Sequence, residues 1–183
     1  PSGLNIFPSG NNLQINVSTV NIPESRYQAA YAIIQPEDLV YAEQAYPSRE
    51  GKNLLPTSDK WQNFRVDGGA TNQTIETSIN LRDKLQGKTG MLAYGIKAKT
   101  TSYEKNGVTE WNEPSFYGMV QLTNLGVFSQ WFPESGMVRV NHLDDGSPVA
   151  SASVEIYQSQ LNARSFPQPT ACARGITNRE GLL

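Results

Sequence analysis

Few side chains in this sequence could do chemistry, and their neighbours decide what each could do. The chain has one histidine, His142, and one cysteine, Cys172. His142 lies in Asn141-His142-Leu143 and is followed by Asp144-Asp145-Gly146, so a base stands beside two carboxylates. Acid–base or nucleophilic catalysis needs a base in reach of the reacting group and a third group to orient it. The surrounding pattern is that of a strand leading into a turn, and no triad assembles around His142, which reads as a surface or edge side chain. Asp144 and Asp145 offer only part of the oxygen set that a hard cation requires, with no third ligand at a set spacing, and read as turn residues. The acidic pairs Glu37-Asp38 and Glu24 with Glu43 follow no pattern and read as solvated loop.

A lone cysteine cannot close an intramolecular disulfide, so packing must hold the fold. In Thr170-Ala171-Cys172-Ala173-Arg174-Gly175 it reads as a small, buried apolar residue of a strand. Trp61, Trp111 and Trp131 could form a carbohydrate-stacking platform, but their wide separation and the demand of sandwich cores for large side chains favour packing. No Gly-rich phosphate loop, zinc spacing or basic-aromatic face occurs. The sequence therefore predicts no enzyme, no catalytic, cofactor-binding or metal residues and no cofactor.

The elements that carry these residues are strands. The chain has 183 residues, 15 basic and 17 acidic side chains and a net charge of −2, too balanced for a nucleic-acid or anionic-membrane partner. No apolar run approaches the ~18 residues that a membrane span requires, and the opening Pro-Ser-Gly-Leu-Asn-Ile-Phe-Pro-Ser-Gly has no signal-peptide pattern. Leu13, Ile15 and Val17 alternate with Gln14, Asn16 and Ser18, the period of a half-buried strand. Similar patterns run over 27–34, 61–66 and 72–81, punctuated by Pro36, Asp67-Gly68-Gly69 and Gly87 to Gly90. Two long strands are expected over 91–103 and 116–122, turned at Asn106-Gly107. Only 36–46 has a helical option, read as a short helix or loop.

A seam falls near residue 123. The first part, 1–123, has the length and strand number of a small sandwich; the second, 124–183, has four expected strands, near 127–132, 137–143, 150–158 and 172–177, where a sandwich needs about seven. The fold expected is all-β, an antiparallel fibronectin/Ig-like β-sandwich, with one complete domain and part of a second. In that partial domain, Val138, Val140, Val154 and Ile156 are expected to form an uncovered apolar face.

The second part carries a family pattern. Thr123, Leu125 and Gly126 precede a strand; Leu143, Gly146, Pro148 and Val149 form a turn; Ala152, Val154 and Ile156 form a small-residue strand; Thr177, Asn178 and Gly181 form a last turn. This resembles the macroglobulin-like domains of bacterial alpha-2-macroglobulins, with Asn124 and Asn178 in aspartate positions, each keeping an acceptor able to cap a turn. The resemblance implies a scaffold fragment from the amino-terminal half of a broad-spectrum protease inhibitor that traps proteases after cleavage of a bait segment. It also implies a periplasmic parent, of a kind often lipid-anchored to the inner membrane. The partners implied are neighbouring macroglobulin-like domains and, through the parent, target proteases, with no nucleic acid and no direct membrane insertion by the fragment. Some family members carry a Gly-Cys-x-Glu-Gln thioester, which the Cys172 segment does not match. The alternative is a cell-surface adhesin or polysaccharide-binding β-sandwich module.

Overall fold

The computed structural model describes residues 4–10, 12–42, 51–68, 71–86 and 88–183. Among the described residues nine strands lie within 1–123: β1 (Leu4–Pro8), β2 (Gln14–Val20), β3 (Arg26–Ile34), β4 (Gln62–Arg65), β5 (Thr74–Asn80), β6 (Gly90–Lys97), β7 (Ser102–Lys105), β8 (Val108–Trp111) and β9 (Ser115–Thr123). After them come β10 (Leu125–Trp131), β11 (Gly136–His142), β12 (Ser153–Ile156) and β13 (Ala173–Ile176). Among the described residues the only helical turns are short 3-10 turns, so the protein is all-β as expected.

The first unit is built on a five-stranded sheet in the order β1-β9-β6-β3-β4. All its pairings are antiparallel except β1 with β9, which run parallel with Leu4 opposite Met119. The alternating strands β2 and β5 pair as a separate ribbon, Ile15 opposite Ile79. The sheet side chains Tyr27, Leu92, Tyr94, Val120 and Leu122 cluster with Leu13, Ile79 and Leu81 from around that ribbon. On the other sheet face Ile34, Met91, Ala93 and Met119 meet Ala42 and Leu54. With both faces covered, β6 reads Met-Leu-Ala-Tyr-Gly-Ile, a continuous buried run instead of an alternation. Leu92, fully buried, contributes on the order of 2 kcal/mol by leaving water.

One sequence expectation is overturned in this unit. The long hairpin expected over 91–103 and 116–122 is two ladders in series, β6 with β9 and β7 with β8. The break falls at 98–101 and 112–114, where Pro114 has no N–H to donate to a ladder and cross-links such as Asn112 N to Thr101 O (2.8 Å) carry the pairing on. The Asn106-Gly107 turn stands as read, with positive φ at both residues (53° and 76°). Strand β1 has no clear alternation and was not expected. In 36–46, Pro36–Val40 is a 3-10 turn whose Asp38 carboxylate accepts the Gln35 N–H at 3.0 Å; Glu43 to Tyr46 lie outside the described residues, as do Gly69 and Gly87.

In the second unit β10 and β11 form a hairpin with Val127 opposite Val140. The last residues extend this ladder, since Val138 and Val140 donate their N–H groups to Leu183 O (2.9 Å) and Gly181 O (2.8 Å). Flanked on both sides, Val138 and Val140 are buried (4% and 3% exposed), against the expectation of an uncovered face. The large apolar groups of this unit that are more than half exposed are instead Val127, Phe128, Trp131, Phe132 and Ile176. Strand β12 is shorter than expected because Ser151 takes a positive φ of 60° and ends the extended run there.

Candidate functional site

The one histidine sits at a tight turn. His142 N–H bonds Ser147 O (2.8 Å), Gly146 N–H returns to His142 O (3.0 Å), and Asp145 Oδ1 accepts Ser147 N–H (2.8 Å). Gly146 has a φ of +72°, which its missing Cβ allows at little cost. Bonding from Ser147 holds the Asp145 carboxyl below the usual range. The His142 ring lies 3.5 Å from the Asn124 amide. Asp144 and Asp145 are therefore turn residues, and among the described residues no group of three potential metal ligands comes together.

The turns of the family pattern are built as read, with one exchange of roles. Asn178 Oδ1 accepts the N–H groups of Glu180 (2.9 Å) and Leu182 (3.0 Å), which is the capping expected of it. At the seam the cap is Thr123, not Asn124: Thr123 Oγ1 accepts Leu125 N–H at 3.0 Å. Thr177 is buried, and its hydroxyl accepts Ala152 N–H (2.9 Å) and donates to Val149 O (2.7 Å).

The densest charge cluster surrounds Glu24, which bonds Lys99 Nζ (2.5 Å) and the Arg26 guanidinium. Lys99 first and Arg26 second hold its carboxyl low. Beside it Lys97 pairs with Glu113 at 3.0 Å, and the groove these groups line encloses only about 70 Å³. Small-molecule sites occupy roughly 300–1,000 Å³, so this one is too small. A depression of about 730 Å³ at the opposite end of the sheet has Ile33, Leu39, Met91 and Leu122 in its wall, with Lys84 and Lys88 as its charged groups. Lys84 lies over the Tyr31 ring at 4.8 Å.

Each tryptophan has its own packing partner. Trp61 packs on Gly95, where a Cβ would stand 2.7 Å from its ring, meets Tyr117 edge-on at 6.3 Å, and has Lys97 over it at 5.0 Å. Trp111 lies beside Lys99 at 5.7 Å, and Trp131 folds over Gly136 of its own hairpin. The expectation of core packing holds in part for Trp61 and fails for Trp111 and Trp131, which are 36% and 57% exposed. Cys172 is exposed too, its thiol donating to Ile156 O at 3.2 Å. Glu37 and Asp38 belong to the 3-10 turn, where Asp38 pairs with Lys52 at 2.6 Å. Glu43 lies outside the described residues.

Sequence reasoning missed the contact between the two units. Residues 157–172, which join β12 to β13, cross back to the first unit. Gln160 N–H bonds Val40 O (2.7 Å), Tyr41 Oη donates to Pro167 O (2.9 Å), and the Tyr41 and Phe166 rings meet at 5.5 Å. The available signal was length, because irregular connections beyond about 12–15 residues are uncommon and usually functional.

No family model matches the chain. It is 55% identical, over all 183 residues, to an alpha-2-macroglobulin homolog of Nostoc sp.. This chain corresponds to a segment of an alpha-2-macroglobulin. It spans 9% of the length of that curated relative. Two crystal structures of native alpha-2-macroglobulin from Escherichia coli share its fold. The one spanning domains NIE-MG1 superposes with a TM-score of 0.54 at 13% identity, covering 92% of this chain and 76% of that one. The one spanning MG0-NIE-MG1 gives 0.53 at 13% identity, covering 93% of this chain and 50% of that one. Within this alpha-2-macroglobulin segment the sequence holds no Gly-Cys-x-Glu-Gln motif, Asp145 is taken up in its turn, and Asp38, Glu24 and Glu113 are taken up in ion pairs.

Proposed function

We propose that this chain is a frame element of a protease-trapping protein, without chemistry of its own. The observation that carries the reading is the 55% identity to an alpha-2-macroglobulin homolog along the full 183 residues. In this reading residues 1–123 are one macroglobulin-like domain and 124–183 part of a second, a division supported by the fold shared with a structure that spans more than one domain. Their work is to hold neighbouring domains of the parent at fixed angles while cleavage of a bait segment elsewhere rearranges the array around the protease. In this reading the parent is a broad-spectrum protease inhibitor of the periplasm, of a kind often lipid-anchored to the inner membrane, and this segment touches neither nucleic acid nor bilayer.

The test uses the parent protein incubated with trypsin. Trapping shows as retained cleavage of a small peptide substrate with loss of cleavage of a large protein substrate. Replacing His142, Asp144 and Asp145 together by alanine is expected to leave trapping unchanged. Loss of trapping in a variant with an unaltered circular dichroism spectrum would place a functional site at this turn and defeat the frame reading. A parent that does not trap at all would defeat the protease-inhibitor assignment.

A further inference from the structure

The covalent joint between the two units is one residue long. β9 ends at Thr123 and β10 begins at Leu125. Thr123 pairs with Pro8 in the first unit, whereas Asn124 O already accepts Leu143 N–H of the second at 2.9 Å. A joint so short prevents the units from drifting apart but leaves the torsions around Asn124 free to set their angle. Something else must fix that angle.

We propose that residues 157–172 are an interdomain clasp, latched on Tyr41, that sets the angle between the two units. Both ends of the clasp are rooted in the second unit, where Cys172 N–H bonds Ile156 O at 2.8 Å and closes its base. Its middle is docked on the first unit through the contacts of Gln160, Phe166 and Pro167 with Val40 and Tyr41. The receiving surface is stiff. Tyr41 N–H bonds Asp38 O (3.1 Å), Lys52 N–H bonds Tyr41 O (2.6 Å), and the Lys52 ammonium pairs with Asp38. Gly51 lies so close beneath that an added Cβ would stand 1.8 Å from Tyr41 O and 3.2 Å from Leu161 O of the clasp. Tyr41 is 2% exposed, yet its hydroxyl is satisfied by a carbonyl 126 residues away. A buried hydroxyl that donates to a carbonyl on another unit binds the two together, because opening must give up that bond and the ring contact at once.

The clasp also explains its own composition. Pro167 and Pro169 hold φ near −65° and reduce the entropy of the undocked loop, so less is lost on docking. Ala163 N–H turns back to Gln160 O (3.1 Å), which aims the Gln160 amide at Val40.

The experiment measures a distance between the units of the 183-residue chain. Spin labels go on cysteines introduced by Ser102→Cys and Glu134→Cys, in a Cys172→Ser background, all outside the docked contacts. One narrow distance is expected for this parent chain. Replacing residues 159–168 with a Gly-Ser segment of equal length alters nothing inside the first unit and is expected to broaden the distribution. Tyr41→Phe removes one hydrogen bond and should raise the population outside the main peak about fivefold. A broad distribution in the parent chain, or an unchanged narrow one after clasp replacement, would overturn the proposal. Should the replaced chain fail to fold, Tyr41→Phe alone decides, and an unaltered distribution there counts against the latch.

Discussion

Gly51→Ala is the single change expected to damage this structure most for its size. Gly51 has a φ of +74°, where an alanine pays about 1–2 kcal/mol for the left-handed backbone. A Cβ there would stand 1.8 Å from Tyr41 O and 2.9 Å from Tyr41 C, and both are backbone atoms that no rotamer change can withdraw. The two segments must separate, which stretches the 2.6 Å bond from Lys52 N–H to Tyr41 O and the Ala42–Gly51 bridge. Loss of one or two such bonds brings the total to about 3–5 kcal/mol. For a chain of this size that corresponds to a fall in Tm of roughly 6–20 °C. Gly146→Ala is the comparator, because its φ of +72° is equivalent while nothing lies within 4 Å of its added Cβ. It should cost only the backbone part, about 1–2 kcal/mol. Thermal melts followed by near-ultraviolet circular dichroism separate the two. Equal losses in both variants would show that the close approach at Tyr41 is absent, and the steric part of the reasoning would be wrong.

Thr177→Val removes a buried hydroxyl and strands Ala152 N–H and Val149 O, for a loss of about 2–3 kcal/mol by urea denaturation, whereas Thr177→Ser should recover most of it. The Asp145 carboxyl is held below its ordinary value in the folded chain, so its contribution to stability is complete above pH 4 and disappears as the pH falls through the depressed folded value. Melts of Asp145→Asn and wild type should accordingly differ at pH 6 and converge in acid, and a difference that grows on acidification would reverse the sign. Residues 124–183 produced alone would expose Val127, Phe128, Trp131 and Phe132 without the docking surface at Tyr41, and light scattering is expected to show association instead of a monomer.

The parts of this fold legible in the sequence are those decided by neighbouring residues. The alternation of Leu13, Ile15 and Val17 gave β2 its inward face, and Asn106-Gly107 gave the hairpin its turn. Asn178 and the Asp145-Gly146 turn followed from side-chain chemistry within a few residues. What stayed hidden depends on distant partners. β1 is a strand because β9 offers it an edge, and nothing in Leu-Asn-Ile-Phe-Pro alternates clearly. Val138 and Val140 are covered because residues 181–183 return beside β11, which no local pattern announces. The exposure of Trp111 follows from its place on the small β7–β8 ladder, away from either core cluster. Tyr41 and Phe166 give no sign in sequence that they will meet.

The parallel pairing of β1 with β9 has a mechanical meaning. The two strands lie side by side and point the same way, so tension applied between the start of β1 and the end of β9 runs along the strands in opposite senses. Their ladder from Leu4–Met119 to Pro8–Thr123 is then loaded in shear, and its slanted, evenly spaced bonds share the force instead of opening one after another. Because β9 passes directly into β10, a pull transmitted through the second unit arrives at this ladder first. The first unit is therefore built to stay whole when a chain containing it is stretched, and to yield, if it yields, in one event.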